Sequence, residues 1–304
     1  VYAVLVHLGD VRIDLFDARI SHGSQASGFF VNRNHFAGYL EMTLAIGIGL
    51  LIAELTDRRA ESWKQFARRT LEWVLSSKMV LRLSLCVLVI ALTTTHSRMG
   101  NTGFFASLLI AGVIGLILSR HATRNTVVLL ASLVIIDLAI VGSWFGVERL
   151  VQRLEQTTQE ELVQRETPAA HTLAMLEKQP ALGLGPGTFY LSFEPYRPEA
   201  VVDYYDLAHN DYAQFAAESG LLGFGLIGAF VIFSLVAALR AQGVRRDPLM
   251  RGMSFASIMG VTAILIHSSA DFNLQIPANA TYFMVLLAMA WIALAHGRGE
   301  RAEA

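Results

Sequence analysis

AHNDYAQFAAESGLLGFGLIGAFVIFSLVAAL, residues 208–239, opens on a polar string and closes on 21 residues, 219–239, that carry no charge. At about 1.5 Å per residue such a run crosses a hydrocarbon core of about 30 Å as a helix. Lipid offers no partners for free backbone groups, so the run must be helical. Six further apolar stretches read the same way, giving candidate spans at roughly 35–55, 79–95, 103–118, 126–146, 214–239, 253–270 and 280–296. The predicted fold class is an all-α integral membrane protein with about seven transmembrane helices and one large, partly helical loop.

Composition agrees. The 304 residues are 54% hydrophobic and 16% charged, where a soluble domain carries about 25% charge. The spans exclude a soluble hydrolase, and no basic domain points to nucleic acid. The single cysteine, Cys86, lies in an apolar run, so an intrachain disulfide and a cysteine-based metal cluster are both excluded. The chain opens on Val1 without the charged, apolar and cleavage regions of a signal peptide, which predicts a fragment lacking upstream helices.

Lysine and arginine set the orientation. Of 24, 14 fall in 56–78, 120–124, 240–251 and 298–301, which places those segments in the cytoplasm. The N-terminal segment 1–34, the turns 96–102 and 271–279 and the loop 147–213 then lie outside, with a cytoplasmic tail at 297–304. Helices fill 35–146 and 214–296 between them.

The outside loop is the one sizeable element beyond the membrane. Residues 148–164 are polar with spaced leucines and valines, a pattern for an amphipathic helix on the membrane or the bundle. Gly183-Leu184-Gly185-Pro186-Gly187 reads as a tight turn. It also reads as a phosphate cradle, although the Lys-Ser/Thr of a P-loop is missing and no strand precedes it. Tyr190, Phe193, Tyr196, Tyr204 and Tyr205 suit either an interfacial belt or sugar stacking.

Ionisable residues in or near the spans are functional candidates, because charge in lipid is costly. Glu41, His267 and Asp271 gather toward the outside, either lining an entry for a lipid-linked substrate or bracing arginines. Glu54 reaches the inner interface, and Asp137 sits mid-span without an evident partner. His209, at the boundary between a polar loop and an apolar helix, points to chemistry on a charged, lipid-attached substrate.

Four strings fall in order along the chain. Phe30-Val31-Asn32-Arg33-Asn34-His35-Phe36-Ala37-Gly38-Tyr39-Leu40-Glu41-Met42 opens the first span. Ser97-Arg98-Met99-Gly100 sits at an outside turn. Pro180 to Phe189 leads to Ala208-His209-Asn210-Asp211-Tyr212 and Glu218-Ser219-Gly220-Leu221-Leu222-Gly223. Asp271-Phe272-Asn273-Leu274-Gln275-Ile276-Pro277-Ala278-Asn279 closes the set. Together they resemble the O-antigen ligase and polymerase superfamily of bacterial envelope glycan enzymes, over about residues 28–291.

That resemblance implies a GT-C-like inner-membrane glycosyltransferase with its active site on the periplasmic side. Its donor is a glycan on undecaprenyl diphosphate, and its acceptor is lipid A–core, a growing polysaccharide or, in some members, a protein. Neither a metal nor a cofactor is implied. His209 matches the loop histidine implicated in catalysis, while Arg98 and Arg165 match arginines expected at the diphosphate. Arg33 joins them by topology, with Asn210, Glu218, His35 and Asp271 in support. After Arg165 the chain departs from the family pattern, having Ala169-Ala170-His171 where relatives carry an aromatic-Arg-Asp run.

Residue chemistry fits these roles independently. Guanidinium groups stay charged and bind phosphate oxygens in pairs. An imidazole can serve as base toward an acceptor hydroxyl, orient the acceptor, or pair with phosphate; the sequence leaves all three open. Glu218 and Asp211 suit helix capping as well as a site. The rival class is a transporter, which should show paired broken helices or an internal repeat near the midplane. No repeat is present, and the polar residues gather at one surface.

Overall fold

The computed structural model describes residues 26–54, 77–118, 127–128, 131–132, 171–197 and 206–296. Its helices are α1 (Arg33–Ala53), α2 (Ser77–Thr94), α3 (Arg98–Leu118), the short α4 (Phe189–Ser192), α5 (Asp211–Val244), α6 (Pro248–His267) and α7 (Pro277–Ala295). Residues 171–178 are also helical, and single 3-10 turns lie at Glu194–Tyr196 and Asn273–Gln275. Among the described residues there is no strand.

Helices α1, α3, α5, α6 and α7 are long and apolar enough to cross a membrane, and Met79–Thr94 of α2 is a shorter apolar helix. Five of the seven expected spans therefore appear, and a sixth, 79–95, appears as the shorter α2. The seventh, 126–146, lies outside the described residues except for four helical positions. Expected segments 1–25, 148–164 and 297–304, and with them Asp137, Tyr204 and Tyr205, also lie outside.

Several helices start three to five residues before their apolar runs. Hydropathy marks only the greasy part, whereas caps set the true start. Asn210 accepts the Ala213 amide at 3.1 Å, Asp247 accepts the Met250 amide at 2.9 Å ahead of Pro248, and Pro277 opens α7. Arg98 is thus the first residue of α3 rather than part of a long turn.

Helices α1 and α6 form the centre. In each, 67% of the apolar window is buried within the protein, against 22% for α5. Leu44, Ile48, Leu92, Phe104 and Phe255 belong to the core shared by α1, α2, α3 and α6. Met42, Val231, Ile264, Phe283 and Leu286 tie α1 and α6 to α5 and α7. Lipid gives no hydrophobic drive for helix pairing, so close backbone approach must supply it. Ala45, Gly49 and Ala53 on α1 face Gly260, Ala256 and Gly252 on α6, and a Cβ on Gly49 or Gly252 would meet the other's carbonyl.

Gly252→Leu should therefore force α1 and α6 apart, at a cost above the ~1–3 kcal/mol typical of overpacking. The variant should lose its monodisperse peak in detergent and melt earlier. An unchanged melting temperature would show that the contact is dispensable.

Candidate functional site

One end of the bundle gathers the N-termini of α1, α3, α5 and α7 and the C-termini of α2 and α6. Four helix N-termini give that end unsatisfied amides and a positive dipole field. Arg33 and Arg98 are the first residues of α1 and α3 there. Arg98 is exposed and Arg33 half-buried.

His209 precedes α5 with φ at 51°. Among the described residues His96 is the other non-glycine with positive φ, and it is in the α2–α3 turn at the same end. Such backbone persists only where the surroundings over-determine it. Those surroundings are the turn between α6 and α7. The Asn210 side chain donates to the Ser269 carbonyl at 2.9 Å, and the Asp211 amide donates to the Ser268 carbonyl at 3.0 Å. The Asp211 carboxylate accepts from the Ser268 hydroxyl at 2.7 Å and the Leu274 amide at 3.0 Å. The His209 ring meets Phe272 edge-on at 4.8 Å, and His35 meets the same ring at 4.5 Å. Phe272 thus joins two of the sequence's candidate histidines.

Asp271 lies directly beneath. Its carboxylate accepts the Phe272 amide at 2.8 Å and stands 3.5 Å from His35 Nε2. Burial pushes its carboxyl up, but the His35 and His267 imidazoles outweigh that and hold it below the usual carboxylate range. Deeper still, His267 Nδ1 bonds Glu41 at 2.8 Å, both side chains fully buried. Glu41 and His267 are thus committed to each other across α1 and α6, with Gly100 and Gly103 of α3 packed against the carboxylate. Among the described residues no group of three or more His, Cys, Asp and Glu is arranged to hold a metal ion.

The loop docks onto a break in α5. Gly220 has φ 63° and ψ 179°, a region open essentially to glycine alone. Two helical bonds are lost there, and loop backbone replaces them on both sides. The Ala217 and Glu218 carbonyls accept from the Leu184 and Gly185 amides at 3.0 and 2.9 Å. The Leu221 and Leu222 amides donate to the Pro180 and Ala181 carbonyls at 2.8 and 3.2 Å. Gly183, Gly185 and Gly187 all take positive φ, as a tight turn requires.

The Glu218 carboxylate accepts the Gly187 and Phe189 amides at 3.0 and 3.2 Å. These amides are spent on a carboxylate, which settles this cluster as a turn rather than a phosphate cradle. Behind it, Met175, Phe189, Phe193, Ala208 and Ala217 form a small core of their own. Phe193 is buried there, while Tyr190 stays exposed. An open apolar cleft of about 400 Å³ runs between 171–178 and α5, lined by Leu173, Leu176, Tyr212, Leu221 and Phe224, with Asn210 at its rim.

Residues 83–228 match the model of the O-antigen ligase family. That match supports the O-antigen ligase and polymerase superfamily over the segment it covers. At the family level the match supports an O-antigen ligase-like membrane glycosyltransferase, and the apolar helices agree with a multi-pass membrane protein. The match covers just under half of the chain. It takes in Arg98, Glu218 and His209 and leaves out α1, α6 and α7. A search of curated proteins found no match. The two strings outside the matched segment, 30–42 and 271–279, are the ones that His35 and Asp271 bring together under Phe272. Arg165 lies inside the matched segment and outside the described residues. The Phe272 platform was not legible in sequence, because nothing local marks a ring that joins two distant histidines.

Proposed function

We propose that this protein moves a glycan from undecaprenyl diphosphate to an acceptor, lipid A–core or a growing polysaccharide, on the periplasmic face of the bacterial inner membrane. The observation that carries this reading is His209, held in strained backbone at the end of the bundle that also bears Arg33, Arg98 and four helix N-termini. Strain of this kind clusters at functional sites.

In the reaction the acceptor hydroxyl attacks the anomeric carbon and the diphosphate leaves. Arg33, Arg98 and Arg165 neutralise the leaving group, whose dense negative charge suits guanidinium forks. His209 takes the hydroxyl proton or orients the acceptor for attack. Asn210, Asp271 and His35 hold the histidine in place, and Glu218 holds the loop. The apolar cleft lined by Tyr212, Leu221 and Phe224 offers the polyprenyl chain an apolar surface beside the histidine.

The acceptor is decided by a deletion strain whose undecaprenyl-linked glycans are extracted and sized by mass spectrometry. Long lipid-linked chains identify a ligase, since extension proceeds without transfer. Single repeat units identify a polymerase. A lipid-linked pool identical to wild type would sink both.

A further inference from the structure

We infer that Glu218 is a positioning residue for His209 and acts on it through Gln214. The inference rests on His209 being the residue that serves transfer. Glu218 is 4% exposed and Gln214 1%. Besides the Gly187 and Phe189 amides, the Glu218 carboxylate accepts from Gln214 Nε2 at 3.3 Å. Gln214 Oε1 in turn accepts the backbone amide of Ala208 at 3.0 Å. Ala208 is fully buried and immediately precedes His209. One carboxylate therefore gathers two loop segments some twenty residues apart, 187–189 and 208.

The two sides of His209 are held by different parts of the protein. On its C-terminal side Asn210 and Asp211 are bonded to the α6–α7 turn. On its N-terminal side the Glu218–Gln214–Ala208 chain does the same work. A histidine at φ 51° needs both.

The chain is also polarised. The Glu218 carboxylate accepts from both loop amides and Gln214 Oε1 accepts from Ala208, so Gln214 turns its NH2 toward Glu218 and its oxygen toward Ala208. Glutamine at 218 breaks that order. Its own NH2 takes the place of either Oε2, where it faces the Gly187 amide, or Oε1, where it faces both the Phe189 amide and the Gln214 NH2. In the second arrangement Gln214 relieves the clash by flipping, and its NH2 then faces the Ala208 amide. Glutamate at 214 repairs the Ala208 end, since it accepts from both the Ala208 amide and an NH2 in the Oε1 place, and only the Phe189 amide is left without its acceptor.

The test uses the full chain in detergent and compares wild type, Glu218→Gln and Glu218→Gln/Gln214→Glu. Diethylpyrocarbonate labelling of His209 is followed by mass spectrometry, with exposed His96 as internal reference. Transfer kinetics are measured with an undecaprenyl-diphosphate-linked glycan as donor. In Glu218→Gln, His209 labelling should rise severalfold and kcat should fall about tenfold or more, the scale of one lost buried charged hydrogen bond. The donor KM should stay near wild type, and the double variant should bring His209 labelling back toward wild type and recover part of kcat. Unchanged labelling and kcat in Glu218→Gln, or a double variant no better than the single, would overturn the inference. Should Glu218→Gln fail to fold, Gln214→Met removes the link between Glu218 and Ala208 while leaving both loop amides on Glu218, and must still raise His209 labelling; an unchanged rate there overturns it equally. Labelling that responds as expected in a protein with no transfer activity would keep the positioning role and remove the proposed function.

Discussion

His209→Ala is expected to abolish glycan transfer in a protein that still folds and inserts. Two separate arguments meet at this residue. The family match takes it in, and the structure gives it one of two positive-φ backbones among the described non-glycine residues. A positioned acid–base group contributes about 10²–10⁴ in rate, so the loss should be of that size. Stability should change little, because the ring is half-buried at the end of the bundle rather than part of its core. His209→Asn is the sharper variant, since asparagine tolerates left-handed backbone and removes only the imidazole. Both variants should fail to restore surface polysaccharide to a deletion strain while reaching the membrane in normal amount. Restoration by either would remove His209 from the chemistry.

The spans were legible because lipid imposes a simple rule on backbone, and an uncharged run of 21 residues satisfies it visibly. His209 was legible because a polar string against such a run is rare. Other parts of the site were hidden by sequence distance. Glu41 and His267 are 226 residues apart and reveal nothing of each other in sequence. Both stand out in the sequence as costly intramembrane charges, and the structure pairs them directly with each other, fully buried, where the sequence offered an entry path or an arginine brace. Glu218 looked equally suited to capping and to a site; its partners lie about 30 residues upstream in a loop whose docking no periodicity announces. The break in α5 was the least visible feature. Gly220 sits among the glycines of an apolar helix, and nothing local separates it from Gly225 or Gly228, around which there is open space. That break also bears on the transporter reading. A transporter uses unwound backbone to coordinate ions at the midplane, whereas here the freed groups at 217, 218, 221 and 222 are taken up by the loop.

Gly220→Ala should therefore change the protein more than its size suggests. The glycine's φ of 63° and ψ of 179° are closed to alanine at acceptable cost, with strain of about 1–3 kcal/mol. A Cβ there would also run into the Ala181 carbonyl, and the reverse approach is as tight, since a Cβ on Gly183 would meet the Gly220 amide. The chain has a way out. If α5 straightens, Leu221 and Leu222 regain their helical partners at Ala217 and Glu218, and the four backbone bonds to the loop are lost. At roughly 1 kcal/mol each the exchange loses two bonds, a price the relieved strain offsets. Gly220→Ala should thus release the loop rather than unfold the bundle. Helical content by circular dichroism should hold or rise, trypsin should cut faster at Lys178 just ahead of the docked turn, and transfer should be lost. Gly225→Ala is the control on the same helix: no atom lies within 4 Å of its added carbon, and it should be neutral or gain up to about 1 kcal/mol from helix propensity. A Gly220→Ala protein with wild-type trypsin resistance and transfer would mean that the break in α5 is not what holds the loop over His209.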